Sequence, residues 1–282
     1  MLGRSNPRVK RLRRLARSKS QRALGRSFVV DGPLAVAAAL EVGRGYLQDV
    51  YVSADFGDGA ASQVSRVLEM AEAAGCNVVR VSPGALEHVG ASSSSQGIVA
   101  TARFVDVPLA SLRAASRLLV CAGVQDPGNL GAVLRSAVAA GWDGVICAGA
   151  CVDVYNPKSV RASAGAIFRT DLVVAGATAS VLKQCRSWGM RIIGAAPKGG
   201  ADHTTIDWAA PFAVVLGNES AGLPPESREL LELMVTVPMA SGTESLNVAM
   251  TAAVLCFEAT RGIRGEPIVA CHGPSEDSEN RV

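Results

Sequence analysis

No apolar run in the 282 residues reaches the roughly 18–20 needed to cross a bilayer, and the basic N-terminus lacks the apolar segment of a secretory signal. The chain is therefore expected to be cytoplasmic, with no membrane partner. CxxC pairs and paired histidines are also missing. The seven cysteines, Cys76, Cys121, Cys147, Cys185 and Cys256 among them, lie in apolar stretches, and His88, His203 and His272 stand far apart. This argues against zinc and against a disulfide framework, and predicts reduced core thiols and no metal site. No strand is followed by GxGxxG with an acid about twenty residues on, and GxxxxGK[ST] does not occur, so neither a standard dinucleotide fold nor a P-loop is indicated. Internal repeats and low-complexity tracts are absent too. What is present is apolar mass: 49% of the residues are hydrophobic, enough for two modest domains or one large one.

The formal charge of +3 conceals an uneven distribution. Residues 1–30 hold ten of the 28 Lys and Arg side chains and no acid, leaving 18 basic against 25 acidic side chains in the rest of the chain. The stretch NPRVKRLRRLARSKSQRALGR is thus a candidate for binding a polyanion, because clustered cations gain affinity for phosphate backbones by releasing counterions. Val9, Leu12, Leu15 and Ala16 recur at helical spacing, so the segment can dock by one face and present arginines on the other.

From Phe28 onward short strands and helices alternate. SFVV leads through Asp31-Gly32-Pro33 into a helix over 34–41, with Asp as the cap and Pro early. A strand DVYVS, a helix over 61–74 closed by Gly75, a strand NVVRVS, a short helix over 84–89, a serine run at 92–95 and a strand IVATARF follow. Residues 1–105 read as a basic arm on a small α/β domain, and 106–116 as a linker. From 117 to 265 the strands RLLVCAGV, DGVICAG, DLVVAG, MRIIGAA, FAVVLG and MVTVPM are continuous apolar runs. Helices are expected between and after them at 130–140, 157–167, 179–188, 225–233 and 246–261. That pattern predicts a parallel sheet covered on both faces, and residues 266–282 read as a polar, frayed tail.

Ligands of such sheets bind outside the carboxyl ends of the strands, and three strand-to-loop junctions there carry polar residues. After LLVCAGV comes QDPGNLGAVLRSAVAAG, whose helical apolar face leaves Arg135 off that face and leaning back toward Asn129 and Gly131, placed to grip a phosphate or ribose oxygen. After FAVVL comes GNESAGLPPE, where Gly217 lets a ligand approach the backbone and Glu219 puts a carboxylate at a strand end. After VTVPM comes ASGTESLN, where Ser245 and Asn247 open the last helix; Ser245 is also a plausible plain cap.

Taken in order, NLGAVLRSAVAAG, VVLGNESAGL and VPMASGTESLNVAMTAAVLCFEA closely resemble the three motifs of the SpoU/TrmH family of RNA ribose 2′-O-methyltransferases, within the SPOUT superfamily. The likeness covers residues 118–262. The basic start, FVVDGPLAVAAAL and SSSSQGIVATAR resemble the substrate-binding domain that many members carry, itself similar to a ribosomal-protein RNA-binding fold. Asp31 stands where relatives more often have Glu, and the serine run lacks the proline often found before Gln-Gly. The resemblance implies an α/β fold whose C-terminal SPOUT domain ties a deep trefoil knot, an exception to the rule against threaded connections. It implies a homodimer that buries the outer faces of the last helix, with S-adenosyl-L-methionine as cofactor. By the same resemblance Ala195, Gly217, Asn218, Val237, Met239 and Leu246 contact the cofactor, while Asn129, Glu219, Ser245 and Asn247 shape the polar part of the site.

Arg135 matches the arginine regarded as catalytic, which family proposals cast as a base. A guanidinium does not give up its proton in proteins, so here it is read as binding phosphate and the 2′-oxygen and stabilising developing negative charge. Members with such an N-terminal domain tend to act on large-subunit ribosomal RNA, some conferring resistance to ribosome-targeting antibiotics. Ribosomal RNA is the expected partner. Transfer RNA, a noncatalytic RNA-binding or ribosome-assembly role, and a dinucleotide-dependent enzyme are the alternatives.

Overall fold

The computed structural model describes residues 1–54, 58–87, 89–90, 96–209, 211–241 and 244–264. The serine run at 92–95, His88, His272 and the tail 266–282 lie outside the described residues. Two helices, α1 (Pro7–Arg17) and α2 (Lys19–Gly25), open the chain. They are separated by Ser18, whose hydroxyl accepts from the Gln21 backbone N–H and caps α2. The first sheet follows, built from β1 (Ser27–Asp31), β2 (Leu47–Ser53), β3 (Asn77–Val81) and β4 (Ile98–Arg103), with α3 (Pro33–Glu41) after β1 and α4 (Asp58–Ala73) after β2. Its order is β1-β4-β2-β3. The β1–β4 and β2–β4 pairs are antiparallel and β2–β3 is parallel.

The second sheet contains β5 (Arg117–Ala122), β6 (Gly144–Ala148), β7 (Asp171–Val174), β8 (Arg191–Ala195), β9 (Ala201–Asp202), β10 (Phe212–Leu216) and β11 (Leu233–Thr236). The helices are α5 (Pro127–Ala139), α6 (Pro157–Ala162), α7 (Thr178–Ser187), α8 (Pro225–Arg228) and α9 (Val248–Arg264). The order is β7-β6-β5-β10-β8-β11-β9 and every pair is parallel. The continuous apolar strands are the cause: β5, β6 and β10 are almost wholly buried because both faces are covered. From β5 the chain steps outward through β6 and β7, then crosses to β8 on the far side. Such a reversal opens a crevice at the carboxyl ends of the strands beside it.

One apolar core runs from the α3–α4 face of the first sheet into one face of the second, joining Phe28, Val36 and Val52 to Leu119, Leu134 and Leu255. The other face of the second sheet packs on α7. Where the sheets meet, Phe28, Phe104 and Tyr155 cluster, with ring centroids 4.8 Å apart for Phe28–Tyr155 and 3.8 Å for Phe104–Tyr155. The Tyr155 hydroxyl accepts from the backbone N–H groups of Val105 and Asp106 at 3.0 and 2.9 Å, so the start of the expected linker is fastened to the second sheet. Burial and the neighbouring Asp106 carboxylate push the Tyr155 phenol well above its ordinary pKa, which keeps it a neutral hydroxyl.

Several local expectations are corrected. The cap of α3 is Gly32, at φ +97 and without a side-chain cap bond; Asp31 ends β1 and pairs with Arg161 at 3.2 Å. Residues 83–87 form turns rather than the start of a helix. The helix expected over 225–233 shrinks to the four residues of α8, and the one expected over 157–167 to the six of α6 followed by a 3-10 turn. The basic segment is not a loose arm. Val9, Leu12 and Leu15 are buried with Val29, Tyr51 and Val99 on the outer face of the first sheet. Arg22, 3% exposed, donates to Asp153 at 2.9 and 2.6 Å and to the carbonyls of Leu15 and Ala16.

Candidate active site

Each junction positions its polar residues by local backbone logic. In the first, Asp126 is the N-cap of α5, its carboxylate accepting from the Asn129 N–H at 2.8 Å, and Pro127 occupies the first turn, where a missing N–H costs nothing. Asn129 therefore stands three residues into the helix with its amide free to reach outward. In the second, the Asn218 side chain folds the loop: its oxygen accepts from the N–H groups of Ser220 and Ala221 at 3.0 and 2.8 Å, and its amide donates to the Gly123 carbonyl at 2.9 Å. In the third, Asn247 begins the last helix. Its side-chain oxygen accepts from the Ala249 N–H at 2.8 Å and its carbonyl from Thr251 at 2.9 Å, so Asn247 and not Ser245 is the cap.

The three junctions close on one another. Asn247 donates its side-chain N–H to the Asn129 side-chain oxygen at 2.9 Å, and Asn129 donates to Glu219 at 3.0 Å. Glu219 also accepts from the backbone N–H groups of Gln125 and Asp126 at 3.3 and 3.4 Å. Partial burial pushes the Glu219 pKa up, but the hydrogen bonds from Asn129 and from backbone N–H groups outweigh it and hold the carboxyl below the ordinary carboxylate range. Glu219 is consequently an ionised acceptor at neutral pH.

These residues stand at a crevice of about 330 Å³ at the carboxyl ends of β8, β10 and β11. Ala195, Gly217, Asn218, Glu219, Val237 and Met239 line it, together with Ser245, Leu246 and Asn247. Of the residues singled out in the sequence, Asn129 joins through its bonds to Asn247 and Glu219. Arg135 lies six residues further along α5, about 9 Å by helical rise, and is exposed while Val133, Leu134 and Ala137 beside it are buried.

The family model of the SpoU rRNA Methylase family matches residues 116–257, half of the chain, and takes in all three junctions. The chain belongs to this family.

It is similar to the 23S rRNA (guanosine(2553)-2'-O)-methyltransferase RlmP of Bacillus subtilis, at 30% identity over 89% of this chain and 95% of that one. In structure it is similar to the AdoMet-bound rRNA methyltransferase of Sinorhizobium meliloti, with a TM-score of 0.79, 29% identity and coverage of 93% and 97%. It is also similar to the SpoU methyltransferase AviRb of Streptomyces viridochromogenes in complex with AdoMet, with a TM-score of 0.79, 25% identity and coverage of 93% and 100%.

Within this SpoU fold two glycines also have a packing reason. A Cβ on Gly217 would come within 2.5–2.7 Å of the backbone of Gly222 and Leu223, so the loop's own return requires the glycine. Gly131 faces α6, where a Cβ would meet the Ser159 carbonyl at 2.4 Å, so it allows the two helices to pack closely. The crevice also includes Ala196, Pro197, Ser220, Gly222, Val248 and Thr251. Ser220 and Gly222 fall inside a motif already quoted. Val248 and Thr251 fall inside another, and Ala196 and Pro197 are ordinary neighbours in sequence with no chemical mark of their own.

Proposed function

We propose that the chain transfers a methyl group from S-adenosylmethionine to a ribose 2′-oxygen of RNA, with 23S ribosomal RNA as substrate. The observation that carries this reading is the convergence of the three junctions of a SpoU methylase on one crevice, tied by the Asn247–Asn129–Glu219 chain. The residues present fit the cofactor. Leu216, Val237, Met239 and Leu246 supply apolar walls for a planar base, and the ionised Glu219 complements a cationic donor. When bound, S-adenosylmethionine supplies a methyl already activated by its sulfonium.

The chain's own residues then have to orient and stabilise. Ala195, Gly217, Asn218, Val237, Met239 and Leu246 hold the donor, and Asn129, Ser245 and Asn247 with Glu219 fix the polar end of the crevice. Arg135 grips the RNA phosphate and the 2′-oxygen, stabilising negative charge as the oxygen–carbon bond forms, while the hydroxyl proton leaves to an acceptor other than the guanidinium. Alignment supplies much of the rate, since the methyl needs little further activation.

The finer architecture belongs to the same proposal. Residues 1–105 are an RNA-binding domain similar to a ribosomal-protein fold, 106–116 connect, 117–265 are the methyltransferase domain and 266–282 a tail. The methyltransferase domain is knotted. The strand order and the return of α9 against α5, where Trp142 donates to the Cys256 carbonyl at 3.1 Å, support that reading. The outer face of α9 leaves Met250 and Phe257 60% and 53% exposed, two turns apart; a second copy covers them in a homodimer acting in the cytoplasm. The test is transfer of tritium from methyl-labelled S-adenosylmethionine to 23S rRNA, with the position mapped in RNA from cells with and without the gene. Absence of labelled ribose with all cellular RNAs would overturn the reading.

A further inference from the structure

A second hollow, of about 400 Å³, opens on the same carboxyl edge of the large sheet, at the ends of β6 and β7. Its volume is toward the low end of those that hold small ligands. β5 separates it from the crevice, so at ordinary strand spacing the two lie about 10–15 Å apart. Phe104, Tyr155, Cys151 and Val174 line it, and Lys19 and Arg26 stand over it from the basic helices.

The charges in the hollow do not cancel. Asp106 is paired with Arg26 at 3.2 Å and Asp153 with Arg22 at 2.6 Å, so each carboxylate has its own guanidinium. Lys19 is exposed and makes no ion pair among the described residues. With Arg22 counted, which pairs with Asp153 from outside the lining, Lys19 is the one cation left over, and an anionic group is what completes it. Arg26 is held in place at a cost. It takes a left-handed backbone, φ +40, as the closing residue of α2, a position that favours glycine. That conformation sets its guanidinium 5.1 Å over the Phe104 ring, and Phe104 is backed by Tyr155. A flat cation on a fixed aromatic stack is a surface on which an unpaired base can lie. At the rim Val174 is 53% exposed, an apolar side chain that neither sheet covers.

We propose that this hollow is a subsite for a second nucleotide of the RNA strand whose ribose is methylated, its base lying on the Arg26–Phe104 face and its phosphate against Lys19. The inference rests on the RNA methyltransferase reading and adds to it a place where the strand is held beyond the reacting nucleotide. The aligned edge explains the geometry: a strand crossing the mouth of the crevice toward the first sheet passes over β5 and reaches the hollow.

The test uses the full chain and short random-sequence single-stranded oligoribonucleotides, without S-adenosylmethionine. Ultraviolet crosslinking followed by mass spectrometry should attach bases to Phe104 or Cys151, and Arg26→Gln should remove those crosslinks while weakening oligonucleotide binding about tenfold. If Arg26→Gln fails to fold, Lys19→Ala serves in its place. That variant should lower the slope of log affinity against log salt by about 0.7 and reduce the same crosslinks. Crosslinks confined to other surfaces, or affinity and salt slope unchanged in these variants, would overturn the subsite. Methyl transfer to 23S rRNA is measured separately: a protein that methylates RNA but fails the crosslinking test loses the subsite alone, and one that methylates no RNA loses the reading beneath it.

Discussion

In the crevice the polar side chains satisfy one another across three segments far apart in the chain, with Asn247 joined to Asn129 over 118 residues and Asn129 to Glu219 over 90. In the basic segment from Arg4 to Arg26 the cations divide between two tasks. Arg4, Arg8, Arg13, Arg22 and Arg26 are bound to carboxylates or carbonyls of their own chain. Lys10, Arg11, Arg14, Arg17 and Lys19 are exposed and make no such bond among the described residues. The first region is pre-ordered by its mutual bonds. The second leaves about half of its cations exposed and uses the rest to bind the helices to the protein.

That division can be broken by substitution, and the largest effect should fall on Arg22. Arg22 and Asp153 have side chains 4% and 13% exposed, so Arg22→Ala leaves a buried carboxylate without its partner. It should cost about 3–5 kcal/mol in chemical denaturation, whereas Lys10→Ala should stay within about 0.5 kcal/mol. Equal costs would erase the distinction. For the same reason removal of residues 1–26 is a poor probe of RNA binding: it uncovers Val29, Tyr51 and Val99 and strands Asp153, and should fail to fold.

Next comes the crevice. Asn247→Ala removes the cap of α9 and the bond to Asn129, and should lower stability by about 1–2 kcal/mol together with calorimetric affinity for S-adenosylmethionine. A melt and an affinity both unchanged would show that the crevice is not pre-ordered by this chain of bonds. The smallest effect on the fold belongs to the outward cations. Replacing Lys10, Arg11, Arg14, Arg17 and Lys19 together by Ala should leave the melting temperature near that of the parent. It should reduce the salt slope of RNA binding by about 3.5–4.5, and an unchanged slope would remove these side chains from the RNA interface.

The parallel sheet was legible because β5, β6 and β10 are uninterrupted apolar runs, and the crevice because its polar residues follow such runs directly. β9 was not legible: Ala201–Asp202 is two residues long with no buried side chain, so no periodicity marks it. The role of Arg22 was hidden as well, since it looks like any of its basic neighbours and its partner lies 131 residues away. The reasons for Gly131 and Gly217 depend on what packs against them, Ser159 and Gly222, and no local pattern announces either contact. Asp31 before Gly-Pro resembles a helix cap by spacing, yet a tertiary partner, Arg161, takes its carboxylate.

An exposed guanidinium on α5 that works on RNA, beside a crevice that binds the methyl donor without it, separates catalysis from cofactor binding. Arg135→Ala shows whether it does, through its initial rate of tritium transfer to 23S rRNA set beside its calorimetric affinity for S-adenosylmethionine. The expected result is a rate lower by about 10²–10³-fold with cofactor affinity unchanged. Transfer at close to the parent rate, or loss of cofactor binding together with activity, would contradict it.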